Sequence, residues 1–108
     1  MKRIAIDAYV FEALMRDLVG HDRRPAAFLV YLTLWAASDR RVRRRVGISL
    51  ARLAEDTGLS KSAVQAGLRV LVRRRLVRLE RAHRTAVPEY EILRPWAASR
   101  HGRTQARA

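Results

Sequence analysis

The first third of the chain carries apolar side chains at helical spacing. Between positions 9 and 19 they recur at intervals of three and four residues, which predicts an amphipathic helix. These positions are Phe11, Leu14, Met15 and Leu18. Pro25 then opens an apolar run that reaches Ala37 and predicts a second helix, buried on most sides. Four aromatic side chains are expected to pack in the core: Tyr9, Phe11, Tyr31 and Trp35.

The middle of the chain predicts two helices separated by a tight turn. The first spans residues 50–57 and ends at Gly58, which can adopt a positive φ. The second begins at Lys61 and extends to about residue 75. Each is preceded by a serine, Ser49 or Ser60, whose hydroxyl can accept a hydrogen bond from an early backbone N–H. The predicted inner face of the second helix consists of Val64, Leu68, Leu71 and Val72.

The periodicity changes from helical to alternating after residue 76. Val77 and Leu79 alternate with charged residues, and a second alternating run over residues 87–92 follows a short polar loop. Two such runs predict a β-hairpin. Short strands are also compatible with the sequence at 4–6 and 47–49. Trp96 is expected to dock on the body of the protein, within a basic, flexible tail over residues 94–108.

The composition excludes several classes of protein. The chain of 108 residues has the length of one domain, and it contains no cysteine and three histidines that lie far apart, which argues against a metal site. The longest apolar run has 12 residues, whereas a bilayer-spanning helix needs about 20. No secretion signal or catalytic frame of residues is present. We therefore expect a cytoplasmic protein that is not an enzyme and uses no cofactor.

The basic charge is concentrated in one part of the chain. Residues 1–39 have no net charge, residues 40–78 carry +10 and residues 79–108 carry +3. The dominance of arginine over lysine is also what codon bias in a GC-rich genome produces, but bias alone does not explain a neutral first third beside a strongly basic middle. A localised positive field favours a polyanionic partner, because binding releases condensed counterions.

Residues 49–71 have the features of a helix-turn-helix. Ala54 is small where the second helix would cross the first, Gly58 allows the turn, and Leu59 and Val64 fill the angle between the helices. The outer face of the second helix is polar. A helix of this kind fits the major groove of B-DNA with its N-terminal half at the base edges.

With the hairpin that follows, residues 26–93 resemble the winged helix-turn-helix superfamily, most of all the heads of bacterial GntR-type regulators and the helix-turn-helix domains of plasmid and phage replication proteins. The resemblance implies a mainly α fold with a small β-hairpin wing. Arg75 departs from the pattern, which has glycine there, so either the helix ends without a left-handed cap or the arginine adopts that conformation at some cost. Gly67 stands where the pattern has a small residue. Residues 1–25 are then an N-terminal extension with a candidate dimerisation helix.

The resemblance also implies which residues contact DNA. Gln65 can pair with adenine, whereas Arg69 or Lys61 can reach guanine or phosphate. The full set from the motif helices is Ser49, Lys61, Ser62, Gln65, Ala66, Arg69 and Arg73. Backbone or minor-groove contacts are expected from the wing tip, at Arg81, His83 and Arg84. Phosphate contacts are expected from the basic run beside the motif, Arg43, Arg44 and Arg45.

Some of these residues have simpler interpretations. Gln65 could be a solvated helix residue. Arg73 and Arg74 could only complement the dipole at the end of their helix. Arg78 is expected to pair across the hairpin with Glu89 or Glu91.

The leading hypothesis is a sequence-specific duplex-DNA-binding protein, a small bacterial or phage transcriptional regulator that reads the major groove with helix 61–75 and contacts the backbone with wing 77–93. One alternative is a plasmid or phage replication or partition accessory protein. Another is a basic RNA- or ribosome-associated protein, which the small number of aromatic residues disfavours. We expect a homodimer that binds double-stranded DNA and no membrane, since two-fold symmetry commonly matches palindromic sites.

Overall fold

The computed structural model describes residues 1–39, 43–84 and 86–97. Two π-helical segments, Val10–Leu14 and Arg16–His21, precede helix α1 (Pro25–Ala37), strand β1 (Arg45–Gly47), helices α2 (Leu50–Thr57) and α3 (Lys61–Arg73), and strands β2 (Val77–Glu80) and β3 (Glu89–Ile92). In these ranges no helix combines the length and apolarity that a membrane span requires. The order of helices and strands confirms the mainly helical fold with a small hairpin.

Helix α1 forms the centre of the core, and the other elements pack around it. Tyr31, Leu34 and Trp35 are almost completely buried along one side of α1. Leu53 of α2 and Leu71 of α3 are equally buried. The core therefore joins all three helices, and it explains why α1 is apolar over most of its circumference.

The three strands form one antiparallel sheet in the order β1-β3-β2. Tyr90 of β3 lies opposite Val46 of β1 and Leu79 of β2. Val77, Tyr90 and Ile92 turn into the core, so the predicted hairpin is confirmed. Leu79 is not buried like Val77. It lies toward the outer end of β2 and is 46% exposed.

The N-terminal helical region differs from the prediction in the face that it buries. Val10, Leu14 and Leu18 enter the core, whereas Phe11 and Met15 are 48% and 41% exposed. The π-helix closes i→i+5 hydrogen bonds and has more residues per turn than the α-helix. Residues three apart are therefore rotated further from one another, and Phe11 no longer shares a face with Leu14.

This burial corrects two expectations. Leu14 and Leu18 belong to the core of the domain together with Val10, so these two leucines are not exposed for a dimer interface. Tyr9 and Phe11 are exposed, so only Tyr31 and Trp35 of the four aromatic candidates are core residues.

The first seven residues contain no strand, contrary to the pattern at 4–6, but they contact the body. The Trp35 indole donates a hydrogen bond to the Ala5 carbonyl at 2.8 Å. The Trp96 indole and the Arg94 guanidinium each donate to the Asp7 carboxylate at 2.9 Å. Burial alone would raise the pKa of the Asp7 carboxyl. The hydrogen bonds from Trp96 and Arg94 outweigh this effect, so that the net pKa lies below the ordinary value.

Trp96 also stacks on the Tyr9 ring, with the ring centroids 4.6 Å apart. Its predicted docking on the body is thus confirmed. The remainder of the predicted tail, residues 98–108, lies outside the described residues.

Helix α3 also buries a different set of residues from the predicted one. Val64, Leu68 and Leu71 are buried as expected, but Val72 is 43% exposed and Val70 is buried in its place. The helix ends at Arg73, and Arg75 adopts a left-handed φ of 58°. Of the two alternatives for this turn, the arginine in the left-handed conformation is the one observed.

Candidate nucleic-acid interface

Two serine caps and one glycine set the turn between α2 and α3. The Ser49 hydroxyl accepts a hydrogen bond from the Arg52 N–H at 3.1 Å and thereby caps α2. The Ser60 hydroxyl accepts one from the Ala63 N–H at 3.1 Å and caps α3. Between them Gly58 has a φ of +79°, which glycine adopts without a Cβ penalty. The predicted starts of both helices and the stop of α2 at Gly58 are therefore confirmed, whereas α3 ends at Arg73.

A close contact between α3 and α1 fixes the position of the second motif helix. A Cβ atom on Gly67 would lie only 3.1 Å from the Ala27 Cα atom. The absence of that Cβ lets the N-terminal turn of α1 lie directly on α3. Gly67 is thus the small residue that the close crossing requires.

The face of α3 that points away from α1 carries the predicted contact residues. Lys61, Ser62, Gln65, Arg69 and Arg73 are exposed, and Ala66 is half-buried at the edge of this face. We call these six residues the α3 outer face. The Ser62 hydroxyl lies 3.2 Å from that of Ser60. Within the part of the chain that the structure describes, no hydrogen bond or ion pair engages the side chains of Lys61, Gln65, Arg69 or Arg73.

This face can provide what a major-groove reading helix needs. Gln65 presents both a donor and an acceptor, which match the adenine edge, and the Arg69 fork matches guanine. Because their long side chains have no partners among the described residues, no ion pair with that part of the chain must break before they bind a base or a phosphate.

The basic run before α2 is used differently. The Arg45 guanidinium pairs with Glu80 and, at 3.1 Å, with Glu89. Arg44 lies over the Trp35 ring, 3.9 Å from its centroid. Arg43 has its Nε atom 3.4 Å from the Glu91 carboxylate. The phosphate contacts predicted for this run therefore compete with interactions inside the protein, and Arg44 and Arg45 are half-buried.

The wing, defined as β2, β3 and the loop between them, holds its basic residues at the tip. Arg81, His83 and Arg84 are all exposed there, and the Arg81 guanidinium donates to the Arg84 carbonyl at 3.2 Å. This contact tightens the loop and leaves the Arg84 side chain pointing out of the wing. Thr85, in the same loop, lies outside the described residues.

Two further arginines, Arg78 and Arg74, form ion pairs. The pair of Arg78 was predicted from the sequence, and the pair of Arg74 was not. Arg78 donates to Glu91 across the hairpin at 3.0 Å, which confirms the expected cross-strand pair. Arg74 donates to Asp22 at 2.9 Å and ties the end of α3 to the turn before α1. Hydrogen bonds from His21 and then Arg74 lower the pKa of the Asp22 carboxyl.

The sequence analysis missed one basic feature, a pair of arginines in the turn before α1. Arg23 and Arg24 are exposed and lie beside Arg69 and Arg73 of α3. The signal that could have revealed them is the doublet itself, which was hidden because residues 1–39 have no net charge. Among the residues that the structure describes, no group of three His, Asp or Glu side chains converges on a metal position.

A helix-turn-helix with an exposed polar outer face, followed by a hairpin with a basic tip that completes a three-stranded antiparallel sheet with β1, defines a winged helix-turn-helix DNA-binding domain. Residues 41–81 match the family model of the IclR helix-turn-helix domain. This range contains β1, α2, α3 and β2, so the predicted superfamily is confirmed. Searches of curated proteins and of solved structures returned no match.

Proposed function

We propose that this protein is a sequence-specific duplex-DNA-binding regulator of transcription in which α3 enters the major groove. The observation that carries the proposal is the α3 outer face, where Lys61, Gln65 and Arg69 are exposed without internal partners. An exposed polar face is common to solvated helices, but here it lies on the second helix of a helix-turn-helix, the helix that enters the major groove in such motifs. A helix that binds bases needs such a face, because its polar groups must exchange water for base edges.

In the proposed complex the two basic elements have different tasks. Gln65 and Arg69 select bases, since they project from a helix whose N-terminus is capped by Ser60. Arg81 and Arg84 contact phosphates or a narrow minor groove, since a loop positions them loosely. A replication or partition factor would use the same interface. The location of the selected binding sites, at promoters or at a replication origin, separates the two roles.

The test is selection of bound sequences from a random duplex library, followed by titration of the best site at several salt concentrations. If about 5–8 phosphates are contacted per protomer, log affinity should fall against log salt with a slope of roughly −4 to −7. A slope near zero, or a preference for structured RNA over duplex DNA, contradicts the proposal.

We further propose that the protein binds DNA as a homodimer through the exposed side of its π-helical segments. Phe11, Met15 and Val19 are spaced four residues apart there and all are exposed. Phe11→Glu with Met15→Glu is expected to leave the fold intact, because neither side chain is in the core, and to give a monomer by light scattering. A wild-type chain that is monomeric at tens of micromolar contradicts this assembly, as does a double variant that remains dimeric.

A further inference from the structure

A groove separates the turn before α1 from one flank of α3. Arg23 and Arg24 form one wall, Arg69 and Arg73 form the other, and the small residues Ala66 and Gly67 lie between them. The groove has a volume of about 400 Å³, and no acidic side chain lines it. Four guanidinium groups thus border a shallow channel whose floor is made of small side chains.

The turn that carries Arg23 and Arg24 is held in place by the backbone. The Arg24 N–H donates to the Leu18 carbonyl at 2.7 Å, and the Arg24 carbonyl accepts from the Ala27 N–H at 3.0 Å. The missing Cβ of Gly67 allows α1 to approach, and the Asp22–Arg74 ion pair spans 2.9 Å beside it. These contacts hold the two pairs of arginines on opposite sides of the groove. None of the contacts pairs a guanidinium group of the groove with an acid.

No internal group compensates these charges within the part of the chain that the structure describes. The guanidinium groups of Arg23, Arg24, Arg69 and Arg73 take part in no ion pair or hydrogen bond there. Asp22 is the nearest acid, at the end of the groove beside Arg24, but its carboxylate is engaged by Arg74 and His21. Four like charges around one channel favour an anion, and the arginine fork matches phosphate oxygens.

The position of the groove beside α3 favours a phosphate of the DNA backbone as its ligand. A helix with its side chains is about 10–12 Å across, and the major groove of B-DNA is about 12 Å wide. When α3 lies in that groove, its flanks must therefore face the two phosphate walls. The flank that carries Arg73 continues into the Arg23–Arg24 wall, so both walls of the channel meet the same DNA strand.

We propose that this groove binds one backbone phosphate of the duplex, with Arg23 and Arg24 as DNA contacts contributed from outside the helix-turn-helix motif. The proposal rests on the function proposed above, and it adds a backbone contact to the DNA strand next to α3. A phosphate carries no sequence information, so the groove contributes affinity and register but no choice of bases.

The test compares two double variants with the same loss of charge. Arg23→Asn with Arg24→Gln removes the outer wall, and asparagine is chosen because Arg23 has a positive φ of 55° that asparagine tolerates. Lys2→Gln with Arg3→Gln is the control. Those residues lie near Ala36 and Ala37, at the opposite end of α1, and a helix of 13 residues is about 20 Å long.

The groove variant should bind both the selected duplex and a scrambled duplex about tenfold more weakly, and the salt slope should become shallower by roughly one. The control should change both affinities less than twofold. The expected pattern is therefore an equal loss on both duplexes for the groove variant only. Equal behaviour of the groove variant and the control overturns the proposal.

A second measurement modifies the DNA and compares the wild-type protein with the groove variant, so that the loss of one phosphate contact is distinguished from a general loss of binding caused by misfolding. Neutral methylphosphonates are placed one at a time along the selected site. One strand position next to the bases read by α3 should weaken wild-type binding but leave binding of the groove variant unchanged. If no position behaves in this way, the groove does not hold a phosphate.

The outcomes separate the two proposals. If the wild-type protein binds no duplex, the proposed function fails and the groove fails with it. If the wild type binds, and Gln65→Ala abolishes discrimination while Arg23→Asn with Arg24→Gln matches the control, only the groove proposal is wrong.

Discussion

The arginines of the sheet and those of α3 are alike in sequence but opposite in their surroundings. Arg45 and Arg78 each meet a carboxylate across a strand pair, at about hydrogen-bond distance. Arg69 and Arg73 meet none within the ranges that the structure describes. The difference arises from register, because the strand pairing brings Glu89 beside Arg45 and Glu91 beside Arg78. An isolated helix face has no such neighbour.

This contrast shows how net charge and available charge differ. Residues 40–78 carry +10, yet several of their arginines pair with acids that lie beyond residue 78, at Glu80, Glu89 and Glu91. The positive field that remains for a partner is concentrated on α3, the turn before α1 and the wing tip. In the sheet the same residue type holds strands together.

The sharpest way to break the comparison is to remove the base-reading groups of α3. Gln65→Ala with Arg69→Ala should weaken the selected site about a hundredfold and random DNA far less, since each bidentate base contact is worth about 1–3 kcal/mol. Titration of both duplexes measures this. Arg78→Ala, the control from the sheet, should leave both affinities within about twofold. An equal loss from Arg78→Ala would mean that paired and partner-free arginines serve DNA alike.

The complementary change replaces Glu91, the acid that pairs with Arg78 across the hairpin. Glu91 is only 9% exposed and contacts Arg78 and Arg43. Glu91→Gln should lower the free energy of unfolding by about 1–3 kcal/mol, because it weakens a charge-assisted hydrogen bond at a buried group. Urea denaturation measures the loss. The exposed Glu55→Gln should change stability by less than about 0.5 kcal/mol. Similar values for the two variants would show that the sheet pairs contribute nothing.

The wing tip tests whether exposed charge on the sheet side acts on DNA without reading bases. Arg84→Ala should weaken the selected and scrambled duplexes by similar factors and make the salt slope shallower by roughly one. Binding at two salt concentrations is sufficient. If Arg84→Ala alone erased discrimination while the α3 variants retained it, the wing would be the reading element and the assignment to α3 would be wrong.

The smallest expected effect is at the turn that joins α3 to the sheet. Arg75 has a φ of 58°, and a left-handed conformation costs a residue with a Cβ atom about 1–2 kcal/mol. Arg75→Gly should therefore stabilise the fold by about 0.5 kcal/mol, after the entropy of glycine in the unfolded chain is subtracted. Arg69→Gly, in the interior of α3, should destabilise it by about 0.5–1 kcal/mol. Thermal unfolding of both variants checks whether the signs are opposite.

The helix-turn-helix could be predicted from sequence because its signals are local. Ser49 and Ser60 cap the helices that they directly precede, and Gly58 makes the turn at its own position. The outer face of α3 follows from the same periodicity. None of these features depends on knowing which distant segment packs against the motif.

The errors arose where distant packing or an unusual backbone decides the outcome. Val70 is buried instead of Val72 because the turn before α1 packs on that flank of α3. The α-helical spacing predicts one apolar face for Phe11, Met15 and the two leucines, whereas the π-helix rotates Phe11 and Met15 outward. The pairing of Arg45 requires the register of β1 on β3, which local alternation does not specify.

The contact between Asp7 and Trp96 has a consequence for the order of folding. It joins residues 89 positions apart, and closing so long a loop is unfavourable until the segments between them are already compact. Trp35 is buried among the helices, whereas Trp96 stacks at this closure. We expect the helical core to collapse first and the contact between Asp7 and Trp96, called the clasp, to form afterwards. Because the pKa of Asp7 is lowered, the stability that its carboxylate gives the clasp is fully present above the ordinary carboxyl pKa and is lost as the pH falls through the lowered value.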